Sequence, residues 1–166
     1  MPPPVDSPRE GLLELPPDET LREARLQGRG RYRWYGLPVY DAELLAAAGV
    51  REEQWQQQTF ALRLIYARDL RGREIAKSSL SEMQNLGLVP AGKSEPWLQQ
   101  MTQLFPDVQT GDAITGVHLA QRAARFWRAK QALGSIEDAA FTSAFFAIWL
   151  DPRTRAPQLR QALFGR

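Results

Sequence analysis

The stretch Phe141-Thr-Ser-Ala-Phe-Phe-Ala-Ile-Trp-Leu-Asp-Pro-Arg-Thr-Arg-Ala-Pro-Gln-Leu-Arg-Gln-Ala-Leu-Phe-Gly165 decides how the rest of this 166-residue chain is read. Phe141, Phe145, Ile148 and Trp149 recur at helical spacing, so one face of a helix here buries several rings, each worth about 1.5–3 kcal/mol when removed from water. Asp151-Pro152 ends that helix, because proline disfavours the α region in the residue before it and cannot continue the hydrogen-bond ladder. Pro157 then opens a short helix through Leu159, Ala162 and Leu163, closed at Gly165. Everything upstream reads as a surface built to receive this pair.

That surface is mostly strand. From Arg25 the pattern alternates, with Arg25, Gln27, Arg29, Arg31, Arg33 and Tyr35 on one side and Leu26, Gly28, Gly30, Tyr32 and Trp34 on the other. The two glycines predict a bulge or the close approach of another backbone or ligand. Gly36-Leu-Pro38 is a turn, and Val39 to Leu45 returns as a second strand with Tyr40, Ala42 and Leu44 on one face. Phe60, Leu62, Leu64 and Tyr66 alternate through a third strand. Ile75, Ser79, Leu80, Met83 and Leu86 then repeat at helical spacing up to Gly87, a natural stop. A second helix is expected with Ser94 as N-cap and Trp97, Met101, Leu104 and Phe105 inward. Ala113 to Leu119 and Ala124 to Lys130 read as two further strands. Leu133-Gly134 breaks the pattern, and Ser135 with Asp138 three residues on predicts a capping box for the last long helix. Strands gathered around paired helices make an α+β domain.

Composition bounds the chemistry. The length is that of one domain, with residues 1–20, which carry six prolines, expected as an extended, partly disordered lead-in and 21–166 as the folded unit. Cysteine is absent, which removes disulfides and thiolate chemistry, and the single histidine, His118, leaves neither a zinc cage nor a Cys-His pair. No metal and no cofactor is expected, since Gly28-Arg-Gly30 lacks the third glycine and the following helix of a dinucleotide fingerprint. No run approaches the roughly 20 apolar residues of a membrane span. The net charge of +2 does not call for nucleic acid. The arginine row of the first strand lies opposite the aromatic residues rather than between them, so it reads as a solvated or edge-protecting face, not a base-stacking platform.

The run Phe145-Phe-Ala-Ile-Trp-Leu-Asp-Pro-Arg-Thr154, with Leu159-Arg-Gln-Ala-Leu163 and Gly165 after it, resembles the C-terminal signature of the bacterial chalcone isomerase-like domain family. The Gly28-x-Gly30 and Val39-Tyr40 strands, the turn ahead of Ile75 and the Phe105-Pro-x-x-x-x-Gly-Asp112 connector are similar in the same order, so the likeness spans roughly residues 22 to 165. It implies an open-faced sandwich, one large antiparallel sheet with helices layered on one face. Members of the family are often exported. The likeness therefore favours an upstream leader and a periplasmic location over a cytoplasmic protein that starts at Met1, whose first residues lack a secretory signal.

The resemblance also implies where a ligand sits. In plant chalcone isomerases an Arg on the early strand, a Thr on the next, a Tyr and an Asn on the following helix and a Thr or Ser on the last long helix hold the flavonoid; fatty-acid-binding members keep the Arg and carry a Tyr at the first Thr position. Those places fall here on Tyr32, Tyr40, the neighbourhoods of Ile75 and Glu82, and the Ile148 to Leu150 turn, which carries no Thr or Ser. Isomerisation needs a cation or donor at the substrate phenolate and hydrogen bonds to the developing enolate. Ile75 supplies neither, and Arg31 and Arg33 point away from Tyr32 unless a bulge turns them, so no catalytic residue is assigned. The expectation is a non-catalytic domain with Tyr32, Arg33, Trp34, Tyr40 and Trp149 around a small hydrophobic ligand such as a fatty acid, the Tyr40 hydroxyl donating to its carboxylate or carbonyl. The alternatives are that these rings simply fill a core, that an isomerase or intramolecular lyase survives, or that the domain is a protein-interaction module.

Overall fold

The computed structural model describes residues 15–166. Six strands, β1 (Arg25–Trp34), β2 (Leu37–Ala46), β3 (Phe60–Tyr66), β4 (Ala113–Leu119), β5 (Ala123–Arg128) and β6 (Gln131–Ile136), lie side by side in chain order, each antiparallel to its neighbour. Helices α1 (Gly72–Asn85) and α2 (Ser94–Leu104) interrupt the meander after β3, and α3 (Ala139–Leu150) and α4 (Pro157–Leu163) follow β6. All four pack into one apolar core with the same face of the sheet, giving the open-faced α+β sandwich.

Strand parity divides the chemistry of the two faces. Inward go Tyr40, Ala42, Leu44, Leu62, Leu64, Tyr66, Ile114, Ala124 and Phe126, which meet Phe141, Phe145 and Phe146 of α3. α3 is apolar nearly all round, as a helix roofed by neighbours has to be. Its start is set by Asp138, whose Oδ1 accepts from the Phe141 amide and whose Oδ2 accepts from the Trp97 indole at 3.1 Å, so one carboxylate caps α3 and fastens α2 to it.

Both readings of the glycine pair in β1 hold. Gln27 bulges out of the ladder between Leu26 and Gly28, and its side-chain amide ties the Val50 amide and carbonyl. A Cβ at Gly28 would collide with the backbone carbonyls of Ala162 and Leu163, so glycine is what lets α4 lie directly on the strand.

Three local expectations are corrected. Ser135 does not cap α3: residues 131–136 form the sixth strand, which sequence misses because Gly134, in the left-handed region with φ 134°, coincides with a register shift against β5. Ser94 is the first residue of α2 rather than its N-cap, which is Lys93; its hydroxyl accepts from Gln84 instead. Residues 15–20, expected in the lead-in, lie with Leu21 against the outer face of the sheet. There Leu21 packs with Leu45, Ala61 and Val117, and Asp18 accepts from Arg125 at 2.8 Å and the Trp127 indole at 3.0 Å. The rest of the expected lead-in, residues 1–14, lies outside the described residues.

Candidate functional site

Three tyrosines and a tryptophan meet where the hairpin end of the sheet passes under the C-terminus of α3. Tyr32 of β1 stands opposite Tyr40 of β2, and Tyr40 opposite Tyr66 of β3, all on the inward face. The Tyr32 and Tyr40 rings stack at 5.1 Å, and Tyr66 meets Tyr40 edge-on at 5.8 Å. Trp149, on the last turn of α3, donates its indole N–H to the Tyr40 hydroxyl at 2.8 Å. Tyr40 therefore acts as acceptor, and its own proton is given to no described residue; the Tyr32 and Tyr66 hydroxyls make no hydrogen bond among the described residues and are not sealed from water, the buried side-chain atom left without a partner there being Arg63 Nη2. Burial pushes the Tyr40 phenol far above its ordinary range, against the Trp149 hydrogen bond, and burial does the same to Tyr66. Tyr32 is raised by burial and by the Glu82 carboxylate, with Arg155 opposing. All three stay protonated donors at neutral pH.

Tyr40 and Trp149 are brought together, and Tyr32 stands beside them. Trp34 and Arg33 are not. Trp34 lies past the helical cover, 55% exposed at the hairpin tip, and Arg33 is an exposed residue whose guanidinium reaches only the Gly36 carbonyl. One register shift precedes Gly28 and a second falls between Tyr32 and Arg33, and neither turns an arginine in among the tyrosines. Arg31 meets Asp41 at 2.7 Å, Arg29 lies 3.4 Å from Asp41 and 3.7 Å from Glu43, and Glu43 holds the buried Arg63 at 2.9 Å. Two arginines of the row, Arg29 and Arg31, are thus neutralised by carboxylates across the strands.

Two side chains that sequence did not single out for this role close the site. Glu82 of α1 and Arg155 of the α3–α4 connector approach at 3.5 Å beside Tyr32. Glu82 falls where the family resemblance places an Asn; nothing in the sequence marks Arg155, because the break at Asp151-Pro152 and the Thr154 hydroxyl, donating to the Ile148 carbonyl, decide where it goes. Ile75 packs against the core edge. The rings are in mutual contact rather than around an open chamber. Open depressions of ≈480 Å³, between α1 and α2, and ≈370 Å³, beside Val50 and Phe164, lie elsewhere.

His118 is a core residue. It is buried, stacked on Phe60 at 4.5 Å, and its Nδ1 donates to the Gln58 carbonyl at 2.7 Å, which fixes the tautomer. Burial lowers its pKa and keeps it neutral. Among the described residues no group of three or more His, Asp or Glu side chains is placed to hold a metal. No helix there is long and apolar enough to cross a membrane.

An antiparallel sheet with one helix-covered face, bearing phenols under the last long helix, defines a class of sandwich domain. Residues 21–165 match the family described as chalcone isomerase-like, and the chain belongs to that family. An uncharacterized protein of Haemophilus influenzae is 28% identical over 139 residues, which cover 84% of this chain and 67% of that protein. Among solved structures, a fatty-acid binding protein of Arabidopsis thaliana superposes with a TM-score of 0.67 at 15% identity, over 86% of this chain and 87% of that one. At that identity the likeness bears on the fold.

Proposed function

We propose that this domain is a non-catalytic binder of a small apolar molecule carrying a carboxylate or carbonyl, a fatty acid being the simplest, with its polar head at Tyr40. The observation that carries the reading is the Tyr40 hydroxyl, which accepts from Trp149 and keeps its own proton for an acceptor that the described residues do not supply. The Trp149 hydrogen bond also polarises that O–H, since donors in a chain strengthen one another. Further support comes from position: Tyr32, Tyr40 and Glu82 occupy places where the family holds its ligand, and a solved protein of the same fold is a fatty-acid binder. Against isomerase chemistry, no guanidinium of the described residues stands among the tyrosines. Arg31 is spent on Asp41 outside, and Arg155 lies at the rim against Glu82. Because the rings are in contact, an acyl chain has to part α1 from the α3–α4 connector, across the Glu82–Arg155 pair.

Thermal melting with saturated fatty acids of graded length tests the reading. A ligand at a hundred times its Kd stabilises by about 2.7 kcal/mol. Tyr40→Phe is expected to weaken binding by roughly tenfold or more, the worth of a hydrogen bond to a charged group. A chalcone absorbance assay run alongside is expected to match buffer. No stabilisation by any chain length, or equal affinity in Tyr40→Phe, overturns the proposal.

A further inference from the structure

The tip of the β1–β2 hairpin points to a second surface. Four large apolar side chains are strongly exposed among the described residues, and three of them, Trp34 at 55%, Tyr35 at 86% and Leu37 at 58%, sit on this single turn. Tyr35 and Gly36 both have positive φ, 51° and 81°, the conformation of a two-residue hairpin turn in which Asn, Asp or Gly normally occupies the first place. A tyrosine there is locally unfavourable and gains no burial; its one ring contact is the edge of Trp34 at 4.7 Å. Residues that cost a turn stability while staying exposed are residues kept for something outside the molecule.

We propose that this tip docks on an anionic lipid surface. The tip is convex and built from one turn, too small to bury the roughly 800 Å² per partner of a stable protein interface. Trp and Tyr, apolar rings with polar edges, are the side chains that settle at the level of lipid headgroups, and Leu37 supplies the part that enters the acyl boundary. Charge agrees in sign. Arg33 beside the turn and Arg68, whose neighbour Ala67 bonds the Val39 carbonyl of β2, have no carboxylate within ion-pair distance among the described residues. Asp41 and Asp69, the acids of the flanking segments, are engaged by Arg31 and by the Thr110 amide. Basic residues at a surface of this kind are drawn to anionic headgroups, and the attraction weakens with salt.

The inference stands apart from the tyrosine site, although Tyr32 lies only two residues before Trp34. The test is co-sedimentation of the whole chain with vesicles of phosphatidylcholine alone and of phosphatidylcholine with 30% phosphatidylglycerol, on the order of the anionic content that gives inner leaflets their negative potential. Expected are binding to the anionic vesicles that falls as salt rises, a blue shift of tryptophan emission that Trp34→Ser abolishes, and at least a tenfold loss of bound fraction in Trp34→Ser/Leu37→Ser. Tyr35→Asn, which suits the turn better, is expected to leave the melting temperature unchanged or higher while still weakening binding. Failure to sediment with the anionic vesicles, binding unchanged in these variants, or a concentration-dependent dimer on gel filtration that the double variant disperses, overturns it.

Discussion

The two ends of the covered sheet face are built from the same kind of side chain and differ in how their polar atoms are settled. At the closed end, Trp55, Phe60, His118 and Phe146 pack ring against ring, and His118 gives its proton to the Gln58 carbonyl. At the hairpin end, Tyr32, Tyr40 and Tyr66 pack just as closely, but their hydroxyl protons find no acceptor among the described residues. The first arrangement answers only to stability. The second holds donors in readiness beneath a connector that an ion pair keeps in place. Aromatic packing by itself therefore does not distinguish core from site; what sets the hairpin end apart is three phenols side by side beneath the last turn of α3.

Substitutions at the two ends sharpen the contrast. The largest effect is expected from Phe146→Ala at the closed end, on α3 and fully buried against the sheet, which should lower unfolding free energy by about 3–5 kcal/mol in urea titrations. Tyr40→Phe leaves the Trp149 N–H without its acceptor and should cost about 1–2 kcal/mol in the same titration, besides its effect on ligand. A smaller change, set by pH, separates the ends further. His118 has a lowered pKa in the fold, so the unfolded chain binds its proton more readily, and stability present above about pH 6.5 is lost as pH falls below it. The tyrosine end behaves oppositely: its phenols are raised, so stability is full below about pH 10 and is lost as pH rises beyond it. Urea midpoints of wild type and His118→Phe across pH 5–8 check the first half, because the variant's curve should be flatter. The smallest effect belongs to Tyr32→Phe, whose hydroxyl has no described partner. Its melting should stay within about 0.5 kcal/mol of wild type while affinity for a fatty acid drops. A loss in Tyr32→Phe as large as that in Tyr40→Phe would erase the contrast.

Much of this was legible in the alternation of the strands and the spacing of the rings. Parity alone placed Tyr32, Tyr40, Ala42 and Leu44 inward and the arginines outward, and Phe141, Phe145 and Trp149 announced the core helix. Parity cannot say how far along a strand the roof extends, which is why Trp34 was assigned to the site and is found beyond it. Nor does it reveal pairs made across elements. Arg155 reaches Glu82 only because the chain turns after Asp151-Pro152, and Asp18 reaches Arg125 across more than a hundred residues. The latter contact has its own signature. Burial would raise the Asp18 carboxyl, but hydrogen bonds from Arg125, Thr20 and Trp127 outweigh it and hold the pKa at about 2. The clasp is therefore at full strength above about pH 4 and fails as pH falls toward 2. Asp18→Asn should cost on the order of 1–2 kcal/mol at pH 7 and progressively less in acid.

The sheet's two flanks share one property. β1 is interrupted at Gln27, and the pairing that carries β6 slips between Phe126 and Trp127. Neither border offers a stranger's backbone an unbroken row of amides and carbonyls, so the platform cannot recruit a seventh strand along its whole length. Edges interrupted in this way are poor templates for the strand-on-strand addition that seeds fibrils.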